Sequence, residues 1–132
     1  MCSAEKKPPI LLSMFQDALR EIVDKTEGGI AGLVMDSSGI ALDSYTKDDA
    51  AFDIGTIGIE FSVVVSGCKR AAEMLEAGGA NEISVNTDKL VTIIRTLGDQ
   101  YFLALAMAPE GNVGKGRFML RVQAPRILAE LM

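Results

Sequence analysis

The chain has 132 residues, which suits one domain with a single core, and its 48% hydrophobic and 23% charged residues are ordinary for a soluble globular protein. Its formal net charge of −5 argues against a nucleic-acid partner, because a phosphate backbone is bound by clustered Lys and Arg. The chain contains no histidine, which excludes Ser-His and Cys-His nucleophiles and removes the commonest metal ligand.

The N-terminal segment 1–9, MCSAEKKPP, has no apolar run after its lysines, so it predicts a disordered leader rather than a secretory signal. The only two cysteines are Cys2 and Cys68, and this pair gives no disulfide framework. A reducing compartment is therefore the default, and we expect a cytoplasmic protein. Residues 10–132 are expected to form one domain.

The first half of that domain begins with a helix and a hairpin. A helix is predicted over residues 10–26 and is ended by glycines at 28 and 29. Residues 30–35 are apolar on both alternating faces, which predicts a strand covered on both sides. Residues 40–45 predict the returning strand after a turn at 36–39. The apolar residues that recur at helical spacing in the first helix are Leu11, Phe15, Ala18, Leu19 and Ile22.

Residues 54–68, IGTIGIEFSVVVSGC, form the longest apolar stretch of the chain. Asp53 and Lys69 bound it and Glu60 interrupts it, so it is too short for a membrane span, which needs about 20 apolar residues. Because no turn signal separates it from the helix-forming residues that follow, we predict one long helix over 51–77. The face expected to pack on the sheet consists of Ile57, Phe61, Val64, Cys68, Ala71, Ala72 and Leu75.

The opposite face of this long helix is small and mostly uncharged over its first three turns. A solvent-facing helix would normally carry Lys and Glu there. Small residues at spacings of three and four allow another helix to approach, so this face predicts a contact with a second subunit. A tightly packed intramolecular helix is the alternative. The residues assigned to the contact are Gly55, Gly58, Ile59, Ser62, Ser66, Lys69 and Glu73.

Three further strands are predicted to follow as a meander. Residues 82–86 alternate strictly, which predicts a short strand with one dry face, and 89–97 and 101–107 predict the next two. The first of the three could lie at the edge of the sheet, where an exposed backbone invites pairing with another copy of the chain. The residues of this strand assigned to the interface are Glu82, Ser84 and Asn86.

The chain ends in a predicted helix over 113–131, with Asn112 as its N-cap and Pro125 expected to kink it. The residues expected to be buried by this helix are Leu120, Ala124, Ile127, Leu128 and Leu131. The element order is therefore α-β-β-α-β-β-β-α, which places the chain in the α+β class.

Catalytic chemistry is not readable from the sequence. Residues 111–117, GNVGKGR, resemble a phosphate loop. The first glycine of that motif would fall at position 109, which is Pro109, and Gly116 stands where Ser or Thr is required. Arg117 and Arg121 lie one turn apart and could present an arginine to a GTPase, although a solvated face is favoured. No nucleophile–base pair or carboxylate cluster appears, so we expect no enzyme, no cofactor and no metal.

Three segments resemble Roadblock (dynein light-chain type) domains, specifically the MglB-like prokaryotic branch. These segments are GGIAGLVMDSSGIALDS in the hairpin, ISVNTDKLVTIIRTLGDQYFLALAM in the meander, and GNVGKGRFMLRV at the start of the last helix. The resemblance implies a Roadblock/profilin-like fold, a five-stranded antiparallel sheet with the long helix on one face and the terminal helices on the other. It also implies a homodimer in which the long helices pair and the middle strands join the two sheets.

The resemblance also bears on function. Family members regulate Ras-like GTPases, as MglB does for its partner MglA, or act as scaffold subunits. The leading hypothesis is a homodimeric, non-enzymatic regulator that binds a small Ras-like GTPase and modulates its nucleotide cycle. A scaffold without effect on GTP turnover and a small-molecule sensor that uses a cavity beside the sheet stay open as alternatives, and an enzyme is the weakest hypothesis.

Overall fold

The computed structural model describes residues 9–47 and 53–131. The predicted leader, with Cys2, lies outside the described residues except for Pro9, which begins the first helix, and so do residues 51 and 52 of the predicted long helix. The elements are α1 (Pro9–Lys25), β1 (Gly29–Asp36), β2 (Ala41–Thr46), α2 (Ile54–Met74), β3 (Glu82–Asn86), β4 (Val91–Leu97), β5 (Tyr101–Met107) and α3 (Val113–Leu131). The predicted element order is confirmed.

The five strands form one antiparallel sheet in the order β2-β1-β5-β4-β3. The hairpin β1–β2 and the meander β3–β4–β5 are joined by the pairing of β1 with β5, in which Asp36 lies opposite Tyr101 and Gly32 opposite Leu105. The register between β1 and β2 shifts between Val34 and Met35. The edge position predicted for β3 is confirmed, and β2 forms the other edge.

Helices cover both faces of the sheet. Because successive side chains of a strand point to opposite faces, each central strand contributes to two cores. The core on the α1 and α3 side consists of Phe15, Ala18, Leu19, Ile22, Val23, Val34, Val91, Ile93, Leu97, Leu103, Leu105, Met107, Met119, Leu120, Ala124 and Ile127. The core on the α2 side consists of Ala31, Leu33, Met35, Ile54, Val65, Ile94, Phe102, Ala104 and Ala106. The double coverage predicted for β1 is confirmed.

Helix α3 begins where it was predicted to begin. The Asn112 side-chain oxygen accepts a hydrogen bond from the Lys115 N–H at 3.0 Å, as an N-cap does. The helix continues through Pro125, which lies on its exposed side. Its predicted buried face is confirmed: Leu120, Ala124 and Ile127 are buried, and Leu128 and Leu131 pack against the same core.

Helix α2 begins at Ile54, and Asp53 is its N-cap. The Asp53 carboxylate accepts hydrogen bonds from the Gly55 N–H at 3.0 Å and from the Thr56 hydroxyl at 3.2 Å. This cap satisfies one of the amide groups that the first turn of a helix leaves without a partner. The helix ends at Met74 with Leu75 as its C-cap, and Glu76 follows with a positive φ of 53°.

The orientation predicted for α2 is wrong. The residues that the helix buries are Ile54, Gly58, Ser62 and Val65, so two members of the predicted outward face point at the sheet. A β-carbon at Gly58 would collide with the Leu33 side chain and would lie 2.6 Å from Met35 Cε. The absence of a side chain at Gly58 therefore lets α2 approach β1 closely, which is the intramolecular packing that the sequence left as the alternative.

The residues predicted to pack on the sheet are therefore partly on the outer side of α2. Of its residues, Val64, Ala71 and Leu75 are exposed, whereas Phe61 packs against the core on the α2 side. The physical reason is that α2 carries apolar or small residues almost all round, so amphipathic spacing does not distinguish its two sides. Large side chains on β1 fill the space beside the glycine, and that complementarity is not visible along the helix sequence.

Candidate interaction surface

The outward face of α2 carries several large apolar side chains that are exposed. Ile59, Val63, Val64, Ala71 and Met74 lie on one side at helical spacing, and we call these five residues the α2 stripe. Val63 is 67% and Met74 85% exposed. Glu60 and Arg70 are exposed on the same side of the helix, so the stripe carries two charges among its apolar side chains. Large apolar side chains left exposed in this number mark a candidate interface.

Two small residues lie in the middle of this surface. Gly67 and Ala71 are one turn apart, and a β-carbon at Gly67 would meet only the Arg70 guanidinium, at 3.9 Å. The backbone of α2 is therefore accessible at this point, whereas at Gly58 it is already in contact with β1. A second helix can approach α2 most closely at Gly67.

The apolar surface extends toward the β1–β2 turn. Ile40 follows the turn and is 61% exposed, and a β-carbon at Gly39 would lie 3.8 Å from the Ile59 side chain. The turn is held by the Asp36 carboxylate, which accepts hydrogen bonds from the N–H groups of Ser38 and Ile40 at 3.0 and 2.9 Å. These bonds, the one from Ile40 foremost, lower the pKa of Asp36 below its ordinary value.

Most residues predicted to form the α2 contact lie elsewhere. Ser62, Ser66, Lys69 and Glu73 line a groove of about 270 Å³ between α2 and the ends of the strands, next to the turns after β1 and β4. The Lys69 ammonium donates to the Asp99 carbonyl at 3.0 Å across this groove. Gly55 lies in the capped first turn. Of the seven residues predicted on α2, only Ile59 belongs to the stripe.

A second groove of about 680 Å³ opens beside the first, between the end of α2 and the turn after β4. Lys69, Glu73 and Asp99 line both grooves, and the glycines at 78 and 79 line the larger one. The walls of both grooves are rich in polar and charged groups. Within residues 9–47 and 53–131, no cluster of three or more Cys, Asp or Glu side chains suits a metal ion.

The β3 edge is the second candidate surface. The strand pairs with β4 along all five of its residues, and its other side is the end of the sheet. Glu82 forms an ion pair with Arg117 of α3 at 2.6 Å, so Glu82, Ser84 and Asn86 face the α3 side. Ser84 and Asn86 are exposed, and Ile83 packs against the core on the α2 side. The three residues predicted on β3 therefore all lie on the α3 side of the sheet.

No helix of the described chain is long and apolar enough to cross a membrane. The stretch 54–68, which raised that question, lies entirely within α2 and contributes to the sheet core through Gly58, Ser62 and Val65. Its other side supplies Ile59, Val63 and Val64 to the stripe.

Comparison with family models finds no match, and comparison with curated proteins finds none. Solved structures do match. The chain is 38% identical to MglC from Myxococcus xanthus, over 89% of this chain and 98% of that one, with a TM-score of 0.65. It is 16% identical to the gliding protein MglB from Thermus thermophilus, over 96% of each chain, with a TM-score of 0.82. A Roadblock/LC7 domain from Streptomyces avermitilis matches at 14% identity, over 87% and 95% of the two chains, with a TM-score of 0.78.

Proposed function

This chain belongs to the Roadblock family, in its MglB-like branch, and from that premise we propose that it is a homodimeric, non-enzymatic regulator of a small Ras-like GTPase. The observation that carries the proposal is the α2 stripe, whose Val63 and Met74 side chains a single chain leaves in water. Burying a valine or methionine side chain stabilises a complex by about 1.5–3 kcal/mol when the burial is complete. A surface of this composition is suited to protein–protein contact.

The dimer that we propose uses two elements. The α2 stripes of two copies pack together, with the closest approach at Gly67 and Ala71, where the side chains are smallest. The β3 strands pair edge to edge, which satisfies the backbone groups that β3 leaves open at the end of the sheet. The two contacts are compatible with a single twofold axis, because in an isologous interface each element meets the same element of the other copy.

The partner that we propose is a GTPase of the MglA type in the cytoplasm, bound on the platform formed by the paired α2 helices. Support comes from the family membership and from the 38% identity to MglC over nearly the whole of both chains. The regulator supplies a binding surface rather than a reacting group. In this proposal its effect is exerted through the conformation of the GTPase.

The test of this function is binding between the purified protein and the small GTPase encoded beside its gene, loaded in turn with GDP and with a GTP analogue. We expect binding that differs between the two nucleotide states, measured by calorimetry. Val63→Glu, in the α2 stripe, is expected to weaken that binding. The matched control is Val122→Glu, which adds the same charge at an exposed apolar position of α3. Absence of binding by the original protein in both nucleotide states contradicts the proposal.

A scaffold and a regulator of the GTPase can be distinguished by the rate of GTP hydrolysis, which only the regulator changes. Addition of the dimer is expected to change the single-turnover rate of the bound GTPase. An unchanged rate with intact binding assigns the protein to scaffolding.

A small-molecule sensor would hold its ligand in the polar grooves beside α2. Native mass spectrometry of the purified protein detects such a ligand directly.

A further inference from the structure

The two flanks of α3 have different neighbours. On one flank, Gln123 and Arg126 contact Glu21 of α1. On the other flank, Arg117 forms its ion pair with Glu82, so this flank faces β3. Arg121 follows Arg117 by one turn and therefore lies on the same flank. Helix α3 thus has a flank closed by α1 and a flank open toward the edge of the sheet.

The sheet beneath the open flank is only partly covered. Helix α3 packs on β4 and β5, and Ser84 and Asn86 of β3 are exposed on the α3 side. Arg95 of β4 lies directly opposite Glu82 in the register, so its side chain belongs to the same face of the sheet. The open flank of α3 and the exposed end of the sheet beside it form one surface, which we call the α3–β3 surface. It consists of Glu82, Ser84, Asn86, Arg95, Arg117 and Arg121.

Cationic side chains are concentrated on this surface. Arg95, Arg117 and Arg121 lie there against one carboxylate, Glu82, although the whole chain has a formal net charge of −5. Phe118 adjoins them on α3 and is 51% exposed, with the Lys115 ammonium 5.8 Å from its ring centre. Arginine and aromatic side chains, phenylalanine among them, are enriched at protein interfaces relative to the rest of the surface.

We propose that the α3–β3 surface docks an acidic segment of a partner protein that carries an apolar side chain among its carboxylates. The arginines supply forked N–H donors that match carboxylates, Phe118 supplies the apolar contact, and Ser84 and Asn86 supply hydrogen-bonding groups on the sheet. The arginines attract an acidic segment to the α3–β3 surface, whereas the rest of this acidic protein repels it. Nucleic acid fits less well, because Glu82 lies among the arginines and would face the phosphates.

This proposal does not rest on the proposed function, because each protomer carries the complete surface. It involves the side of the sheet opposite the α2 stripe. If two β3 edges pair, two copies of the surface lie on the same face of the joined sheet. A partner with two acidic segments would then bind with higher avidity than a partner with one.

The test uses the full-length protein and a synthetic peptide with a central Leu-Phe pair flanked on both sides by glutamates. Titration followed by ¹H–¹⁵N NMR is expected to shift the amide signals of β3, β4 and the first half of α3. Arg117→Gln combined with Arg121→Gln is expected to weaken binding about tenfold, because two exposed charge contacts are lost. Phe118→Ala is expected to weaken it by a similar factor.

The matched control is Lys25→Gln combined with Arg126→Gln, which removes two positive charges that contact Glu21 on the closed flank. Its affinity for the peptide is expected to stay within about twofold of the original, since no contact on the surface is lost. The same NMR spectra report whether each variant is folded. A second control replaces the glutamates of the peptide with glutamine and is expected to abolish binding.

Four outcomes overturn the proposal. They are the absence of shifts with the acidic peptide at millimolar concentration, shifts that map to α2 instead, equal loss in the control variant, and equal binding of the glutamine peptide. Phosphatidylglycerol vesicles and duplex DNA are tested in parallel with the same variants. Tighter binding of either, lost on Arg117→Gln combined with Arg121→Gln, assigns the surface to a lipid headgroup or a nucleic acid and overturns the acidic protein partner.

Discussion

At the residue scale, Gly58 determines how closely α2 lies against the sheet. It is buried, and the space that a side chain would need is occupied by Leu33 and Met35, both of which are fully buried. These two side chains have little freedom to move, because protein interiors are close-packed. Gly58 is therefore a packing residue rather than the partner contact that its sequence context indicated.

Replacement of this glycine is predicted to destabilise the protein even though alanine is the better helix former. Gly58→Ala should lower the free energy of unfolding by about 1–3 kcal/mol through overpacking against Leu33 and Met35. Gly114→Ala in α3 is the matched control, because a β-carbon there meets nothing closer than 3.6 Å. The control should gain up to about 1 kcal/mol from helix propensity. Urea unfolding of both variants at one protein concentration measures the difference.

Equal stability of the two alanine variants would show that α2 does not approach β1 at Gly58. The same comparison explains why the orientation of α2 could not be predicted. The local sequence shows a glycine, a serine and three valines on a helix without a polar side. Only the long side chains of β1, distant along the chain, determine that Gly58 and Ser62 rather than Val63 and Val64 face inward.

The Asp36 carboxylate gives the β1–β2 turn a dependence on pH. Its pKa is lowered in the folded state, chiefly by the hydrogen bond from the Ile40 N–H. A lowered folded-state pKa stabilises the protein above the ordinary pKa of 3.8, and that stabilisation is lost as the pH falls through the folded value. We predict that Asp36→Ala destabilises the protein at pH 7 and that the difference from the original protein shrinks below pH 3.8. Chemical denaturation across this pH range measures it, and a difference that grows toward acid would contradict the assignment.

At the scale of the elements, α2 has two apolar sides with different roles. One side is buried by the sheet through Ile54 and Val65, and the other carries the α2 stripe. The sequence therefore correctly indicated that α2 has apolar surface on each side. It did not indicate which side is which, and the interface residues assigned to it were mostly those lining the grooves beside the strands.

A charge in the centre of the stripe is predicted to separate the proposed dimer. Val63→Glu places a carboxylate where the second α2 helix would pack, and an unpaired buried charge should weaken association by at least about 3 kcal/mol. Light scattering at micromolar concentration should then show a monomer. The Val122→Glu variant, with the same change on α3, should stay a dimer. A dimer that persists in Val63→Glu would exclude the stripe as the interface.

Other elements were predicted well because their signals are local. The bounds of β3 and β5 and the cap of α3 at Asn112 follow from alternation and capping chemistry within a few residues. Pro125 was expected to kink α3, and the helix runs through it from Val113 to Leu131. Pro125 has no N–H to donate to the Arg121 carbonyl, and because both residues are exposed, water can take the place of that donor.

At the scale of the whole molecule, the sheet is covered on both faces, and its free edges are β2 and β3. The α+β class and the layer arrangement could be predicted, since the order of helices and strands and the resemblance agreed. The α3–β3 surface was not predicted as a site. Its arginines come from β4 and α3, which are separated along the chain, and only the pairing of Glu82 with Arg117 shows that they meet.

A dimer whose contacts include both a helix and a sheet edge should unfold in a concentration-dependent manner. We predict that the melting temperature rises over a hundredfold increase in protein concentration, because association stabilises the folded chain by mass action. Val63→Glu should remove this dependence and lower the melting temperature at high concentration. Differential scanning calorimetry measures both. A melting temperature independent of concentration in the original protein would contradict an obligate dimer.

The central pairing of β1 with β5 has a consequence for how the chain reaches its structure. These strands are about half the chain length apart in sequence, whereas β1–β2 and β3–β4–β5 are local pairings. During synthesis, β1 leaves the ribosome long before β5, so the inner edge of the hairpin stays unpaired until β5 has emerged. Closure of the sheet therefore has to wait for β5, and the unpaired edge of β1 is the segment that a chaperone would have to protect from aggregation in the meantime.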